Sequence, residues 1–409
     1  MPARHILIAN VFFAPFSYGG ATIVAQEVAR ELQRSGHYRI SAVSLCLRAD
    51  LEPYTVVKTE KDGIANYLIN IPNNLGYSEV YDNPAITERL LSIVSTLSPD
   101  LIHAHCLQDM GTGIFTAAEA FGVPVILSVH DFWWLCERQF MIRIDQRYCA
   151  QSPVRIENCK SCVGNFWAAK LRRTHLEAAA RKAQCVTYPS HFAKNLSEAS
   201  GFAPERGVVW ENGVRLPNHD FFVRQAARRE RSDRLTFGFL GGPSHIKGWP
   251  LMKQAFAKLS RDDFNVVLVD GGLETPWWRA EMMNGLPGNW EIVPRFPQEA
   301  IDAFYSQIDV LLFLSQWKET FGLAIREALA RGIQVIQTDS GGTVEHAGAV
   351  HQNLIPIGAA PEYVTRELNR VLYQGVIPHP PISVMSFEGQ AKAFSDLVHE
   401  VLCTQRRVA

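Results

Sequence analysis

Short apolar runs alternate along this chain with longer segments in which apolar positions follow a helical period. Residues 6–12 and 124–129 in the first half are mostly apolar, and residues 265–270 and 310–314 repeat the pattern in the second half. Nearly continuous apolar strands separated by helices are typical of parallel sheets that are covered by helices on both faces. The pattern therefore predicts an α/β protein with two open parallel-sheet domains.

A turn-rich and then highly charged stretch separates the two halves. Residues 211–217 contain Asn, Gly and Pro, which favour turns, and residues 224–234 are rich in Arg. A chain of 409 residues is also too long for one ordinary hydrophobic core. We predict a first domain over residues 1–214 and a second over residues 215–385, followed by a last helix within 386–409.

The composition limits the classes of partner and compartment. Apolar residues make up 47% of the chain, charged residues make up 20%, and the net charge is −1. This balance is typical of a globular protein and gives no overall field for nucleic acid, so we expect no nucleic-acid partner. The first residues resemble a strand more than a signal peptide, and no apolar run reaches 18 residues. We expect a cytoplasmic protein, peripheral at most at the inner membrane.

One stretch, residues 318–330, carries the strongest candidate chemistry. It follows the apolar run 310–314, turns at Gly322 and continues into a segment of strong helix formers. Amide groups at a helix N-terminus bind anions, and Glu327 stands roughly 7.5 Å further along the helix axis, about the step from a diphosphate to its ribose. A nucleoside diphosphate along this helix would place its ribose on Glu327 and its distal group near Glu319. The alternative is two ordinary helix glutamates.

Other nucleotide and hydrolase signatures are absent from the sequence. Neither half has a G-x-G-x-x-G turn after its first strand, and no P-loop or G-x-S-x-G elbow occurs. Dinucleotide and P-loop chemistry are therefore disfavoured. A different set of short motifs occurs in order along the chain: Tyr18-Gly19-Gly20, His103-Ala104-His105, His130-Asp131, Glu211-Asn212-Gly213-Val214, Lys247-Gly248, and Glu319 to Glu327.

In order and spacing, these motifs resemble those of the GT-B glycosyltransferases of family 4, the retaining glycosyl transferases group 1. The resemblance covers nearly the whole chain. It implies two Rossmann-like domains that face each other across a crevice, with the C-terminal helix 386–409 packing back on the N-terminal, acceptor-side domain. Residues 215–385 would then form the domain that binds the nucleotide-sugar donor.

The resemblance also implies roles for individual residues. His130, Glu319 and Lys247 would be catalytic: His130 and Glu319 would contact the donor sugar, and Lys247 would neutralise the leaving diphosphate. Glu327 would hold the ribose. The remaining donor-binding residues would contribute backbone groups: Gly19, Gly20, Phe321, Gly322 and Leu323.

Three neighbouring side chains have less specific expectations. His103 and His105 are expected to be mainly structural, as the equivalent pair is in the resembling family. Asp131 either caps the next segment or contacts the acceptor. For His130 and the Gly19-Gly20 pair, a strand-end core histidine and a plain turn are the structural alternatives.

The implied activity is transfer of a hexosyl group from a UDP-, GDP- or dTDP-linked donor to a glycan or lipid-linked acceptor hydroxyl, in bacterial surface polysaccharide synthesis. We expect no cofactor for catalysis. The alternatives are a non-catalytic nucleotide-sugar- or glycan-binding homologue, and a GT-B epimerase or phosphorylase. One departure concerns an arginine that many relatives carry about six residues before the lysine, where this chain has Gly241-Gly242. His245 or backbone amides would have to replace it.

Four cysteines are clustered in a segment, residues 136–164, that resembles an insertion found in some family members. Their spacing is C-x12-C-x9-C-x2-C, and the loop has little apolar periodicity. A C-x2-C pair with two further thiols in a reducing compartment predicts a structural zinc, with free thiols or disulfides as alternatives. The ligands would be Cys136, Cys149, Cys159 and Cys162.

The segment that follows the cysteines combines aromatic and basic residues. Residues 165–175 include Phe166, Trp167, Lys170, Arg172 and Arg173. On a helix these side chains would suit contact with an anionic membrane surface. The alternative is a solvated helix face over the core.

Overall fold

The computed structural model describes residues 3–408 except 274, 350–352 and 378, and only the backbone of 405–408. The chain divides into two compact units. The first comprises Met1–Met141, Ala150–Gly213 and Met385–Ala409, and the second comprises Ile142–Cys149 and Val214–Val384. Residues 1, 2 and 409, which belong to the predicted first domain and its helix, lie outside the described residues.

The first unit is built on a sheet that has eight strands among the described residues. Its order is β3-β4-β2-β1-β5-β6-β7-β8, and every neighbouring pair is parallel except β3 with β4. The strands are β1 (Arg4–Ala9), β2 (Tyr38–Cys46), β3 (Val56–Lys61), β4 (Ile64–Asn70), β5 (Leu101–Ala104), β6 (Val125–Ser128), β7 (Cys185–Tyr188) and β8 (Gly207–Val209). The helices between them are α1 (Gly20–Arg34), α2 (Pro84–Leu97), α3 (Gly113–Ala120), α4 (Phe166–Ala180) and α5 (His191–Ala199).

The central strands of this sheet are buried over their whole length. All four residues of β5, β6 and β7 are buried, as are the last five of β1. Strands covered on both faces cannot alternate apolar and polar residues, which is why the sequence shows nearly continuous apolar runs there. The carboxyl ends of β1, β5 and β6 lie side by side, so the loops that follow them emerge at one sheet edge.

The second unit contains a smaller sheet with the order β11-β10-β9-β12-β13, parallel throughout the described strands. These strands are β9 (Thr236–Phe239), β10 (Asn265–Asp270), β11 (Asn289–Pro294), β12 (Val310–Phe313) and β13 (Gln334–Gln337). The helices are α6 (Phe221–Arg231), α7 (Trp249–Phe256), α8 (Ile301–Tyr305), α9 (Leu323–Leu329) and α10 (Pro361–Gln374). Two separate apolar clusters cover the two faces of this sheet.

The last helix, α11 (Phe387–Val408), belongs to the first unit. Its Ser395 hydroxyl lies 2.6 Å from the hydroxyl of Tyr38, and Gln390 accepts a hydrogen bond of 3.1 Å from the indole of Trp210 through its carbonyl. Gly213 has no room for a side chain, because an added Cβ would come within 2.5 Å of the Ser386 carbonyl. The helix therefore packs back on the first unit, as the resemblance implied.

The division differs from the predicted domains in one stretch. The predicted boundary after residue 214 lies next to the observed one, between Gly213 and Val214. Residues Ile142–Cys149 of the predicted first-domain insertion are instead grouped with the second unit. They form a turn of their own, in which Ile142 and Tyr148 pair in an isolated antiparallel bridge, so the insertion does not behave as a single segment.

Candidate active site

The predicted phosphate turn lies between β12 and α9 in the second unit. Gly322 stands at the start of α9 with a φ of 110°, a conformation that side chains with a Cβ rarely adopt. A Cβ at this position would also lie 3.0 Å from the Thr343 Cγ2 atom. Both constraints explain why this turn requires glycine. The missing Cβ lets the backbone approach the loop that contains Thr343.

Glu319 is fixed in this turn through both its backbone and its side chain. Its N–H donates to the Ser340 carbonyl at 2.8 Å, and its own carbonyl accepts from the Gly342 N–H at 2.9 Å. The carboxylate accepts a hydrogen bond from the Ser315 hydroxyl and forms an ion pair with the Lys247 ammonium, Oε1 to Nζ 2.9 Å. The Glu319 carboxylate is thus held by groups from two loops.

Lys247 reaches this position from the loop that follows β9. The next residue, Gly248, has a φ of 85° and caps α7, and any Cβ there would clash with the Leu314 carbonyl at 2.1 Å. This close approach places the loop directly against the end of β12. Two predicted site residues that are 72 positions apart, Lys247 and Glu319, are therefore brought into contact.

Glu327 lies inside α9 and is only 6% exposed. Its Oε2 accepts a hydrogen bond from the Tyr305 hydroxyl at 2.9 Å, and its Oε1 accepts one from the Gln298 amide at 3.0 Å. Burial raises the pKa of this carboxyl above its ordinary value, although both donors and Arg331 act in the opposite direction. Tyr305 and Gln298 are site residues that the sequence reasoning missed, because nothing in their local sequence points to Glu327.

Arg326 is a third residue of the site that the sequence did not reveal. Its side chain is almost fully buried, with the guanidinium carbon 4.1 Å from the centroid of the Phe321 ring. It donates to the carbonyls of Phe321, Gly342, Thr343 and Glu345 at 2.7–3.2 Å. Arg326 therefore ties the turn before α9 to the loop that follows β13.

The glycines that replace the expected arginine are tightly packed. An added Cβ at Gly241 would come within 2.5 Å of the Phe239 ring, and one at Gly242 within 3.0 Å of the Trp277 ring. A long side chain at either position would have to displace an aromatic ring. His245, the alternative donor, lies in the exposed part of the same loop.

In the first unit, Gly19 and Gly20 begin α1 after the loop that follows β1. Gly19 has a φ of 83°, and an added Cβ would meet no atom within 4 Å. The backbone conformation, and not a lack of space, is therefore what favours glycine at this position. The pair stands at the N-terminus of a 15-residue helix.

Three histidines form a continuous hydrogen-bonded chain at the carboxyl ends of β5 and β6. Nε2 of His130 lies 2.8 Å from Nδ1 of His105, and Nε2 of His105 lies 3.2 Å from Nδ1 of His103. His103 and His105 are buried, whereas His130 is partly exposed. Burial lowers the pKa of His130 to about 4 and lowers the pKa values of the other two well below their ordinary value, so all three rings are neutral near pH 7.

Asp131 is held by local hydrogen bonds. Its carboxylate accepts from the backbone N–H of Trp133 at 2.8 Å and from the side-chain amides of Gln108 and Gln139 at 2.8 and 2.6 Å. Burial raises its pKa despite these donors. This pattern agrees with the capping alternative.

None of the four clustered cysteines forms a disulfide. The residues that the structure describes contain no group of three or more His, Cys, Asp or Glu side chains that could hold a metal ion. The structural zinc stays a prediction. The four cysteines are Cys136, Cys149, Cys159 and Cys162.

Helix α4 presents large apolar side chains on its surface. Trp167 is 73% exposed and Leu171 65% exposed. The Lys170 ammonium lies 5.9 Å from the Trp167 ring centroid, and the Lys160 ammonium 5.4 Å from that of Phe166. By contrast, Arg172 and Arg173 of the same predicted basic segment are buried and donate to backbone carbonyls. Only part of this segment is therefore a surface feature.

None of the helices in the described residues combines the length and the apolar character needed to cross a bilayer.

Comparison with known proteins identifies the class to which this fold and site belong. The model of the family "Glycosyltransferase Family 4" matches residues 18–216, and that of the family "Glycosyl transferases group 1" matches residues 223–375. The chain belongs to the family 4, group 1 glycosyltransferases with the GT-B fold, and it is a glycosyltransferase.

Two similar proteins are a 42.6 kDa protein in the cps region of Klebsiella pneumoniae and a 2-deoxystreptamine glucosyltransferase of Streptomyces kanamyceticus. The first is 20% identical over 83% of this chain and 87% of its own length. The second is 31% identical over 33% of this chain and 35% of its own length. The second similarity is therefore local.

Solved structures support the fold assignment. The sucrose-phosphate synthase of Thermosynechococcus elongatus superposes with a TM-score of 0.64 at 14% identity, covering 99% of this chain and 98% of its own. Anabaena HepE in complex with UDP and glucose superposes with a TM-score of 0.59 at 15% identity, covering 99% of both chains. At these identities the likeness shows the fold alone. These structures confirm the predicted fold class, and the two family matches confirm the predicted family.

Proposed function

We propose that this glycosyltransferase moves a hexosyl group from a nucleoside diphosphate donor to a hydroxyl of a glycan or lipid-linked acceptor, with retention at the anomeric carbon. The observation that carries the proposal is the Lys247–Glu319 pair beside the Gly322 turn. A cation next to a glycine turn suits a diphosphate, and a neighbouring carboxylate suits sugar hydroxyls.

The proposed roles follow the charges that develop in the reaction. As the glycosidic bond breaks, negative charge grows on the diphosphate and positive charge grows on the sugar ring. Lys247 stabilises the leaving diphosphate together with backbone groups of Phe321, Gly322 and Leu323. Glu319 binds the hydroxyls of the donor sugar, and Glu327 binds the ribose with a carboxylate that Tyr305 and Gln298 already orient.

The first unit contributes groups for the sugar and the acceptor in this proposal. His130 hydrogen-bonds a hydroxyl of the donor sugar through its imidazole, which is neutral near pH 7 and can therefore donate or accept. Gly19 and Gly20 offer backbone without side chains. Catalysis then rests on positioning and charge stabilisation, and we expect it to proceed without a catalytic metal.

Two similar proteins favour a UDP-linked donor and a surface polysaccharide. HepE binds UDP and glucose in its structure, and the Klebsiella relative is named for a cps region. We therefore propose that the enzyme acts in the synthesis of a bacterial surface polysaccharide at the cytoplasmic side of the inner membrane. The exposed Trp167 and Leu171, beside Lys170, would suit contact with an anionic membrane that carries a lipid-linked acceptor.

A donor screen tests the proposal. Thermal shift and donor hydrolysis would be measured with UDP-, GDP- and dTDP-linked sugars, on the wild type and on Lys247→Ala. One donor should stabilise the wild type, and Lys247→Ala should lose most of that shift. Lys258→Ala is the matched control, because Lys258 also pairs with a glutamate, Glu362 at 3.0 Å, but outside the site.

Three results would contradict this function. Equal donor binding by Lys247→Ala and Lys258→Ala would remove Lys247 from the site. Phosphate-dependent cleavage of a glycan would indicate a phosphorylase, and binding of a donor without any turnover would indicate a non-catalytic homologue.

For the membrane contact, flotation with anionic vesicles should decrease in the Trp167→Ser/Leu171→Ser variant, and a wild type that fails to float would exclude the contact.

A further inference from the structure

The line of hydrogen-bonded histidines that begins at His130, the residue assigned to the donor sugar, continues further into the core. On its inner side, Nε2 of His103 lies 2.8 Å from the Ser128 hydroxyl, and that hydroxyl lies 2.7 Å from the hydroxyl of Thr187. These residues come from three neighbouring strands, β5, β6 and β7, and the two hydroxyls and the His103 and His105 rings are buried. The result is a line of polar groups that runs from the partly exposed His130 into the core.

The last helix closes over the inner part of this line. The His103 ring stacks on Phe394 of α11, with ring centroids 4.1 Å apart and an interplanar angle of 19°. Trp210 packs against the same ring at 5.6 Å. Because His103 is buried, its imidazole depends on its protein partners for hydrogen bonds.

Neutral imidazoles impose a strict rule on such a line. A neutral ring has one N–H and one lone pair, so each contact between two rings needs an N–H on one side and a lone pair on the other. If His103 carries its proton on Nδ1, then His105 and His130 must do so too; if it carries the proton on Nε2, the other two must follow. Any mixed state sets two N–H groups or two lone pairs against each other and loses a buried hydrogen bond.

We infer that His105 and His103 act as positioning residues that couple the tautomer of His130 to their own. Under this inference the three rings change tautomer only together. Nδ1 of His130, the ring nitrogen that does not contact His105, is then a donor in one shared state and an acceptor in the other. The inference concerns the tautomer alone, and its importance for catalysis rests on the proposed role of His130.

Imidazole nitrogen NMR on the full chain tests the inference directly. Protein labelled with 15N in its histidines would be studied at pH 7, with the signals assigned from His103→Gln, His105→Phe and His130→Gln variants. The Nδ1-protonated fractions of the three rings should be equal in the wild type. They should stay equal to one another in Ser128→Ala, where the buried hydroxyl next to His103 is lost and the line can shift as a whole. Unequal fractions, or a protonated ring at pH 7, would overturn the inference.

Transfer kinetics add a readout that a merely structural role would not give. If His105 acts only through His130, then His105→Phe should lower kcat by about tenfold, and His105→Phe/His130→Gln should be no slower than His130→Gln alone. Multiplying effects would overturn the inference. Thr187→Val is the matched control, since it removes a hydroxyl one step beyond Ser128 and should keep the three fractions equal. Normal transfer by His130→Gln would refute the proposed role of His130 but would leave the inference about the shared tautomer, which the NMR experiment tests, unaffected.

Discussion

Replacing Glu319 by glutamine removes the charge that holds Lys247 but keeps the shape of the side chain. In the structure the Glu319 carboxylate is 2.9 Å from the Lys247 ammonium. The side chains are 13% and 36% exposed, respectively, so water screens the pair and its net contribution is about 1 kcal/mol. To bind a diphosphate, Lys247 must leave this carboxylate or share its charge with it.

The substitution should therefore have opposite effects on nucleotide binding and on sugar transfer. A nucleoside diphosphate should bind about fivefold more tightly to Glu319→Gln, because about 1 kcal/mol of competing interaction is gone and a nearby negative charge is lost. Transfer of the sugar should fall at least tenfold, because the proposed carboxylate contact to the donor sugar is lost. A residue with only a structural role would not produce this opposition.

The change in binding is measured by calorimetric titration with a nucleoside diphosphate, the one contained in the donor that the screen selects. The change in sugar transfer is measured from product formation. The gain in binding should shrink when Glu319→Gln is made in a Lys247→Ala background, since the two residues interact directly. Glu362→Gln is the matched control, because Glu362 pairs with Lys258 at the same distance range but on the surface. Unchanged or weaker diphosphate binding by Glu319→Gln, or full transfer activity, would refute the reasoning.

Three further predictions follow from the same structure. Tyr305→Phe removes one of the two donors to the buried Glu327 carboxylate, so it should lower the free energy of unfolding by about 2 kcal/mol and weaken nucleotide binding; denaturant titration showing wild-type stability would contradict this. The free energy of unfolding should fall as the pH falls from 6.5 towards 4, because the unfolded chain takes up a proton that folded His130 binds only below its pKa of about 4. The His130 contribution is at most about 3 kcal/mol, and His130→Gln should flatten the dependence in denaturant titrations across this range; an unchanged slope would count against it. Metal analysis of purified protein should find one zinc per chain if the four clustered cysteines bind it, and metal-free protein would reject that prediction.

The sheets could be predicted because their signal is local. A strand that is buried on both faces must be apolar at nearly every position, and this holds for β6 and β12 in the sequence itself. The turn at Gly322 could be predicted as well, because glycine followed by strong helix formers is typical of a turn that leads into a helix. Such features depend on a few consecutive residues and need no knowledge of distant neighbours.

The partners of the site side chains could not be predicted in the same way. The contact between Lys247 and Glu319 exists because β9 and β12 are neighbours in the sheet, an order that apolar periodicity does not specify; only the family resemblance connected the two residues. Gln298 and Tyr305 contact Glu327 across gaps of 29 and 22 positions in the sequence. The histidine line likewise requires β5 and β6 to be paired, and the motifs alone suggested no contact between rings.

Arg326 indicates how this chain manages without the expected arginine after β9. Peptide groups are planar and trans, so a carbonyl that points towards the Arg326 guanidinium directs the next N–H away from it. By binding the carbonyls of Phe321 and Gly342, Arg326 therefore directs the N–H groups of Gly322 and Thr343 to its opposite side. A buried cation that orders backbone donors acts on an anion through those donors and does not need to contact it. In the proposed donor site, Lys247 would supply positive charge at this turn directly and Arg326 would supply it through the backbone, while Gly241 and Gly242 are packed against aromatic rings.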